Sequence, residues 1–131
     1  MATYKEFEKF VKSEFGAIAP EDAPSGFMGL EVPLGNRSQI VFFTKSGNDK
    51  IGENARVISF VGEVKGAKLV EALTQAAELV IGGLVIVNGE LALSHTILLE
   101  NVDENEIALP LFAIAVTADE FEKKYVGGDE N

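Results

Sequence analysis

The sequence predicts an α+β domain in which helices pack on one antiparallel sheet, with the element order α-β-β-β-α-β-β-α. Three observations predict this class. Apolar residues recur at helical spacing in three segments, and they alternate with polar residues in five others. Two turn signals, Gly35-Asn36 and Asn88-Gly89, join consecutive alternating segments. Because short turns join antiparallel strands, and helices separate the strands into two groups, the pattern favours helices packed against an antiparallel sheet.

The first element is a helix that begins after Thr3. Glu6 follows Thr3 by three residues, which is the spacing of a capping box, and Gly16 marks the end of the helix. Its apolar residues fall on one stripe: Tyr4, Phe7, Phe10, Val11 and Phe15. The stripe is interpreted as core packing, and a docking face for another chain is the alternative.

Three strands follow, joined by short connections. The first covers residues 27–34, and Pro33 within it predicts an edge strand because proline cannot donate a ladder hydrogen bond. The second covers residues 38–44. A polar loop over residues 45–54 leads to a third strand at residues 55–64. Consecutive strands of this kind predict an antiparallel meander.

A second helix is predicted for residues 65–80, ended by Gly82-Gly83. Its expected core stripe comprises Leu69, Val70, Leu73, Ala76, Ala77 and Val80. The following hairpin joins residues 84–87 to residues 90–99 through Asn88-Gly89. Five residues of its second arm share one face: Leu91, Leu93, His95, Ile97 and Leu99.

The last helix begins near Asp103, where acidic residues suit the positive end of the helix dipole. One stripe contains Ile107, Leu111, Ile114, Ala118, Phe121 and Tyr125, and we expect Leu109, Phe112 and Val116 to widen it. Pro110 lies inside this pattern. It predicts either a kink or a helix that begins near Leu109.

Composition limits the classes of protein to which the chain can belong. The 131 residues are 47% hydrophobic with a net charge of −10. This length fits one domain, expected at residues 1–126, with residues 127–131 as a flexible acidic tail. The acidity argues against nucleic-acid binding. No apolar run is long enough to cross a membrane, and we expect a cytoplasmic protein.

No pattern in the sequence predicts catalysis, a cofactor or a metal ion. His95 is the only histidine and there is no cysteine, so a metal site has too few nitrogen and sulfur ligands. Ser94 and His95 are neighbours on a strand and face opposite sides, so they cannot act as nucleophile and base. No nucleotide-binding glycine loop is present. We therefore expect a chain that is not an enzyme.

The order of elements, the size and the acidity resemble the type III secretion chaperone-like fold, and within it the YbjN family of proposed bacterial sensory-transduction regulators. The residues that carry the resemblance are the helix at residues 69–80, the hairpin at residues 84–99 and the acidic-capped helix from Asp103. The resemblance implies a non-catalytic, chaperone- or adaptor-like module. It also implies a homodimer that binds an apolar segment of a partner protein on its sheet and helices.

Six residues are the candidates for these contacts. On the sheet, we expect Phe27, Leu30, Phe43 and Phe60 to contact the partner, and Phe112 and Val116 to lie at the dimer interface. Each also has an interpretation as a core residue. The alternative function is a small-molecule-sensing regulatory domain, which a closed pocket with converging polar groups would favour over an open apolar groove.

Overall fold

The predicted α+β class and element order are confirmed by a computed structural model, which describes residues 3–16, 23–24, 26–47, 50, 52–100 and 102–126. The expected tail at residues 127–131 lies outside the described residues. The elements, in chain order, are α1 (Tyr4–Phe15), β1 (Met28–Leu34), β2 (Arg37–Ser46), β3 (Asn54–Gly62), α2 (Gly66–Ala76), β4 (Gly83–Val87), β5 (Glu90–Leu98) and α3 (Glu104–Phe121), with a π-helical turn at Glu122–Val126.

The five strands form one antiparallel sheet in the order β1-β2-β3-β5-β4. β1 lies at an edge, as Pro33 predicts. The β4–β5 hairpin turns through Asn88 and Gly89, with φ angles of 51° and 82°. Both angles are positive, as a two-residue turn matching the twist of the strands requires, and this explains the Asn-Gly sequence.

α1 and α3 cover one face of the sheet and enclose the main core. Phe7 of α1 meets Phe43 of β2 edge to face, with ring centroids 5.5 Å apart. The predicted α1 cap is present: Thr3 Oγ1 accepts the Glu6 backbone N–H, and Glu6 Oε1 accepts the Thr3 backbone N–H. The predicted stripe of α3 is entirely buried: Ile107, Leu111, Ile114, Ala118, Phe121 and Tyr125.

The predicted start of α3 near Asp103 is confirmed, and of the two alternatives given for Pro110, a start near Leu109 is wrong. The helix begins at Glu104, where Asp103 and Glu106 form a capping box, and it continues through Pro110. Proline at this point removes one hydrogen bond, to the Glu106 carbonyl, while the buried Ile107 and Leu111 hold the helix against the sheet before and after Pro110.

Among the described residues, no helix is long and apolar enough to cross a membrane.

α2 is shorter and less buried than predicted. It ends at Ala76, after which the backbone N–H groups of residues 77–79 bond to carbonyls three residues back. Only Ala72 of the helix is buried, whereas Val70, Leu73 and Val80 are 65%, 50% and 97% exposed. The predicted stripe therefore combined two faces, because α2 lies at the β4 end of the sheet and packs there through Leu69, Ala72 and Ala76.

Candidate binding groove

The face of the sheet opposite α1 and α3 is not covered by any described helix. Strand alternation places Phe42, Ile58 and Ala92 on it. These three side chains are 5%, 2% and 0% exposed, although they do not belong to the core cluster beneath the helices. This second apolar layer is therefore buried by the sheet itself and by residues around it.

Two clefts lie on this uncovered face and show how the burial arises. The β2–β3 cleft has a volume of about 680 Å³ and is lined by Ala23, Pro24, Ser38, Gln39, Ile40, Phe42, Phe60, Asn88, Glu90 and Glu122. The Phe27 cleft has a volume of about 380 Å³ and is lined by Phe27, Thr44, Lys45, Ser46, Arg56, Ile58 and Val87. Phe27 precedes β1 and Val87 ends β4, and these two strands are the opposite edges of the sheet. Both residues nevertheless line the same cleft. The sheet therefore curves toward its uncovered face.

The β2–β3 cleft forms where two strands separate. Backbone pairing between β2 and β3 runs from Ser46↔Asn54 to Phe42↔Ile58 and then stops. Beyond that point side chains bridge the strands: Gln39 Nε2 donates to Ser59 Oγ at 3.0 Å and to the Phe60 carbonyl at 2.9 Å. Ser59 Oγ in turn donates to the Ile40 carbonyl at 2.6 Å. A register shift between Phe60 and Gly62 in the pairing of β3 with β5 accompanies the separation.

The two clefts adjoin and together form what we call the binding groove. Phe42 lines the first cleft, Ile58 lines the second, and the two residues are directly paired across β2 and β3. The ring centroids of Phe42 and Phe60 are 5.9 Å apart in an edge-to-face arrangement. The partly exposed apolar surface of the groove is supplied by Phe27, Ile40 and Phe60.

The charged residues of the groove are separated by sign. Glu90 and Glu122 line the β2–β3 cleft, and Lys45 and Arg56 line the Phe27 cleft. Within the described part of the chain, no cationic side chain lines the first cleft and no carboxylate lines the second. The Lys45 side chain lies on the helix-covered side of β2, where its Nζ is 3.4 Å from Glu53 Oε1, so Arg56 supplies the positive charge of the Phe27 cleft. The groove thus has an acidic end and a basic end.

The structure brings two of the four predicted partner-contact residues into the groove. Phe27 and Phe60 line it, one in each cleft. Leu30 and Phe43 are 2% and 0% exposed in the main core, so the expectation that they contact a partner requires correction. The pairing of Leu30 with Val41 and of Met28 with Phe43 sets these side chains on the face that α1 and α3 cover.

Sequence reasoning missed Ile40, Arg56 and Glu90 as groove residues. A signal for Ile40 was present, since alternation through β2 puts it on the same side as Phe42. The signal for Glu90 was not local. Glu90 joins the cleft because the sheet curves and β2 separates from β3, and neither property is encoded in strand alternation.

The two predicted dimer residues lie on α3, away from the groove. Phe112 is 51% exposed and Val116 is half-buried. Phe112 lines a shallow depression of about 420 Å³ with Asn105, Ala108 and Leu109, and Leu109 is 62% exposed. The expectation that Leu109 and Phe112 widen the buried stripe is therefore wrong, because they lie on the outer face of the helix.

His95 lies on the helix-covered side of β5, paired with Val57 and close to Gly82. Burial lowers the pKa of its imidazole below the usual value of 6.5. Its neighbour Ser94 pairs with Ile58 and Gly83 on the other face. The described residues contain no group of three or more His, Cys, Asp or Glu side chains placed to hold a metal ion.

Comparison of the chain with models of known protein families gives no match, and comparison with curated proteins gives none either. The geometry of the groove is therefore the basis on which a function is proposed.

Proposed function

We propose that this chain is a non-catalytic protein-binding module, chaperone- or adaptor-like, that binds an extended apolar segment of a partner protein in the binding groove. The observation that carries the proposal is the apolar second face of the sheet, which no described helix covers and which exposes parts of Phe27, Ile40 and Phe60 in two adjoining clefts. Apolar surface that is uncovered and rimmed by polar groups is typical of partner-binding sites.

The shape of the groove supports an extended ligand. It follows β2, whose residues from Ser38 to Ser46 line first one cleft and then the other. In an extended strand these residues span about 26 Å, so a segment of about eight residues fills the groove. The element order agrees with the resemblance to the secretion chaperones, and membership of that fold, with a cytoplasmic location, is part of the proposal.

The proposal is tested by affinity capture of the intact chain from lysate of its host at moderate salt, followed by mass spectrometry. We expect one partner to be retained by the wild type and lost from Phe60→Asp and Ile40→Asp, because a carboxylate in the groove opposes apolar contact. Val80→Asp is the matched control, since Val80 is 97% exposed and lies outside the groove. Equal retention by all four proteins would refute the groove as the binding site.

Sensing of a small molecule is the second candidate. The observation that favours it is the set of polar side chains around Phe42 and Phe60 in the β2–β3 cleft, whose volume of about 680 Å³ lies within the range of ligand pockets. The amide nitrogen of Gln39 is already used between β2 and β3, which leaves fewer polar groups for a ligand. A metabolite that raises the melting temperature of wild type but not of Phe60→Asp would favour this candidate.

We further propose that the chain forms a homodimer through the outer face of α3. The residues of its depression, Asn105, Ala108, Leu109 and Phe112, are uncharged, and two copies with a net charge of −10 repel each other least where no charge is present. Light scattering should give a dimer mass for wild type and a monomer mass for Phe112→Asp. Val70→Asp on α2, where Val70 is 65% exposed, should remain dimeric, and dissociation of both variants alike would contradict the assignment.

A further inference from the structure

The separation of charge along the groove carries information about the partner that apolar surface alone does not. Two carboxylates, Glu90 and Glu122, line the end formed by the β2–β3 cleft. One cationic side chain, that of Arg56, faces the other end, whereas Lys45 borders the same cleft with its side chain on the helix-covered side of β2. In a chain with 21 acidic and 11 basic residues, a cleft that a guanidinium faces, with no carboxylate among the described residues that line it, departs from the overall acidity. Overall charge therefore does not explain the basic end.

Arg56 is the strongest group at the basic end. Its side chain is half-buried on β3, between Thr44 of β2 and Thr96 of β5, and it forms no ion pair with any described residue. Lys45, by contrast, is exposed on the helix-covered side of β2, where it pairs with Glu53 and does not face the groove. A partly desolvated guanidinium beside an apolar cleft is stabilised by a carboxylate that a ligand supplies.

We propose that the groove selects an extended segment with opposite charges at its two ends, a Lys or Arg at the β2–β3 cleft and an Asp or Glu at the Phe27 cleft, with apolar residues between them. This inference rests on the proposed function, because it specifies the chemistry of the segment that the same groove binds. Charges placed in this way fix the position and direction of the segment along β2, since reversal or displacement would place like charges together.

Three capped peptides of eight residues test the inference. All share an apolar centre with one Trp, and because the protein has no Trp, the fluorescence of the peptide reports binding. The dipolar peptide carries two Lys at one end and two Glu at the other, the neutral peptide carries Gln at these four positions, and the basic peptide carries four Lys. The dipolar and neutral peptides have the same net charge, so the net charge of the protein attracts them equally.

We expect the dipolar peptide to bind about five-fold more tightly than the neutral one, the size expected for two partly exposed charge contacts. Arg56→Gln and Glu90→Gln should each reduce binding of the dipolar peptide about two-fold and leave the neutral peptide unchanged. Lys68→Gln is the control, because Lys68 is exposed on α2 outside the groove. Its removal should change the affinity for neither the dipolar nor the neutral peptide. Arg56→Gln should also increase the affinity for the basic peptide.

The outcomes separate this inference from the proposed function. If the dipolar and neutral peptides bind equally, or if Arg56→Gln and Glu90→Gln leave the preference intact, the charge selection is refuted while groove binding stands. If none of the three peptides binds wild type, groove binding is refuted and the charge selection with it.

Discussion

The two faces of the sheet are both apolar, but they are buried by different means. On the covered face, Phe43 is 0% exposed beneath α1, with Phe7 packed edge to face against it. On the uncovered face, Phe42 is 5% exposed, and its aromatic neighbour Phe60 lines an open cleft. Phe43 and Phe42 thus have similar exposed fractions in two different environments, the first enclosed by helices and the second bordered by a groove.

The difference between the faces shows which apolar side chains remain accessible in the folded chain. Residues that helices enclose contribute to the free energy of folding and cannot be reached without unfolding that region. Residues buried by the curved sheet and by the residues around it keep one side next to a cleft that a ligand can fill. Phe43 is therefore enclosed in the core and Phe60 borders the groove, although both are phenylalanines on neighbouring strands.

The largest expected effect is on the free energy of unfolding. It is measured by truncating two adjacent residues whose side chains lie on opposite faces of the sheet. Phe43→Ala should lower the free energy of unfolding by about 4 kcal/mol, because the enclosed site cannot fill the resulting cavity. Phe42→Ala should cost about 2 kcal/mol, since water from the adjoining cleft can occupy part of the space. Urea denaturation with a common fitted slope measures both values.

The control for this comparison is Phe112→Ala on the outer face of α3, measured at a concentration low enough to keep the chain monomeric. Phe112 is 51% exposed, so its truncation should change the free energy of unfolding by less than about 1 kcal/mol. Equal losses for Phe42→Ala and Phe43→Ala would mean that the uncovered face is as closed as the covered one, and the groove would lose its physical basis.

Local signals in the sequence predicted the elements well because each has a local cause. The capping box at Thr3 and Glu6 and the positive φ angles at Asn88 and Gly89 depend only on neighbouring residues, and both are present. The α3 stripe was also predictable, since a single helix face packs on the sheet along its length.

The exposure of α2 and the presence of the groove depend on tertiary arrangement and could not be predicted from local patterns in the sequence. Periodicity marked Val70 and Leu73 as apolar, but only the peripheral position of α2 leaves them exposed. The groove required two further properties, the curvature of the sheet and the separation of β2 from β3 at Gln39 and Ser59. Alternation identifies which residues share a face of the sheet, but not which face the helices cover. For that reason Phe60 lines the groove, whereas Phe43, which was predicted to contact the same partner, lies in the covered core.

The smallest expected effect is a pH dependence at the margin of the covered face, where His95 lies beside Gly82. Burial lowers the pKa of His95 in the folded state below its unfolded value of 6.5, so the unfolded state takes up a proton first as the pH falls. The stabilisation that depends on neutral His95 is fully present above pH 6.5 and is lost as the pH falls through the folded-state pKa. Unfolding free energies measured between pH 7.5 and 5.5 should show this loss.

The 21 acidic residues also respond to pH, and a matched variant separates their contribution from that of His95. His95→Gln keeps a polar side chain of similar size and does not titrate, so carboxylate effects cancel in the difference between wild type and variant. The stability of wild type relative to His95→Gln should therefore decrease as the pH falls. A difference that stays constant over this range would mean that His95 is as hydrated in the folded chain as in the unfolded one. The covered face would then admit water at its β5 margin, and the contrast with the uncovered face would hold only at the centre of the sheet.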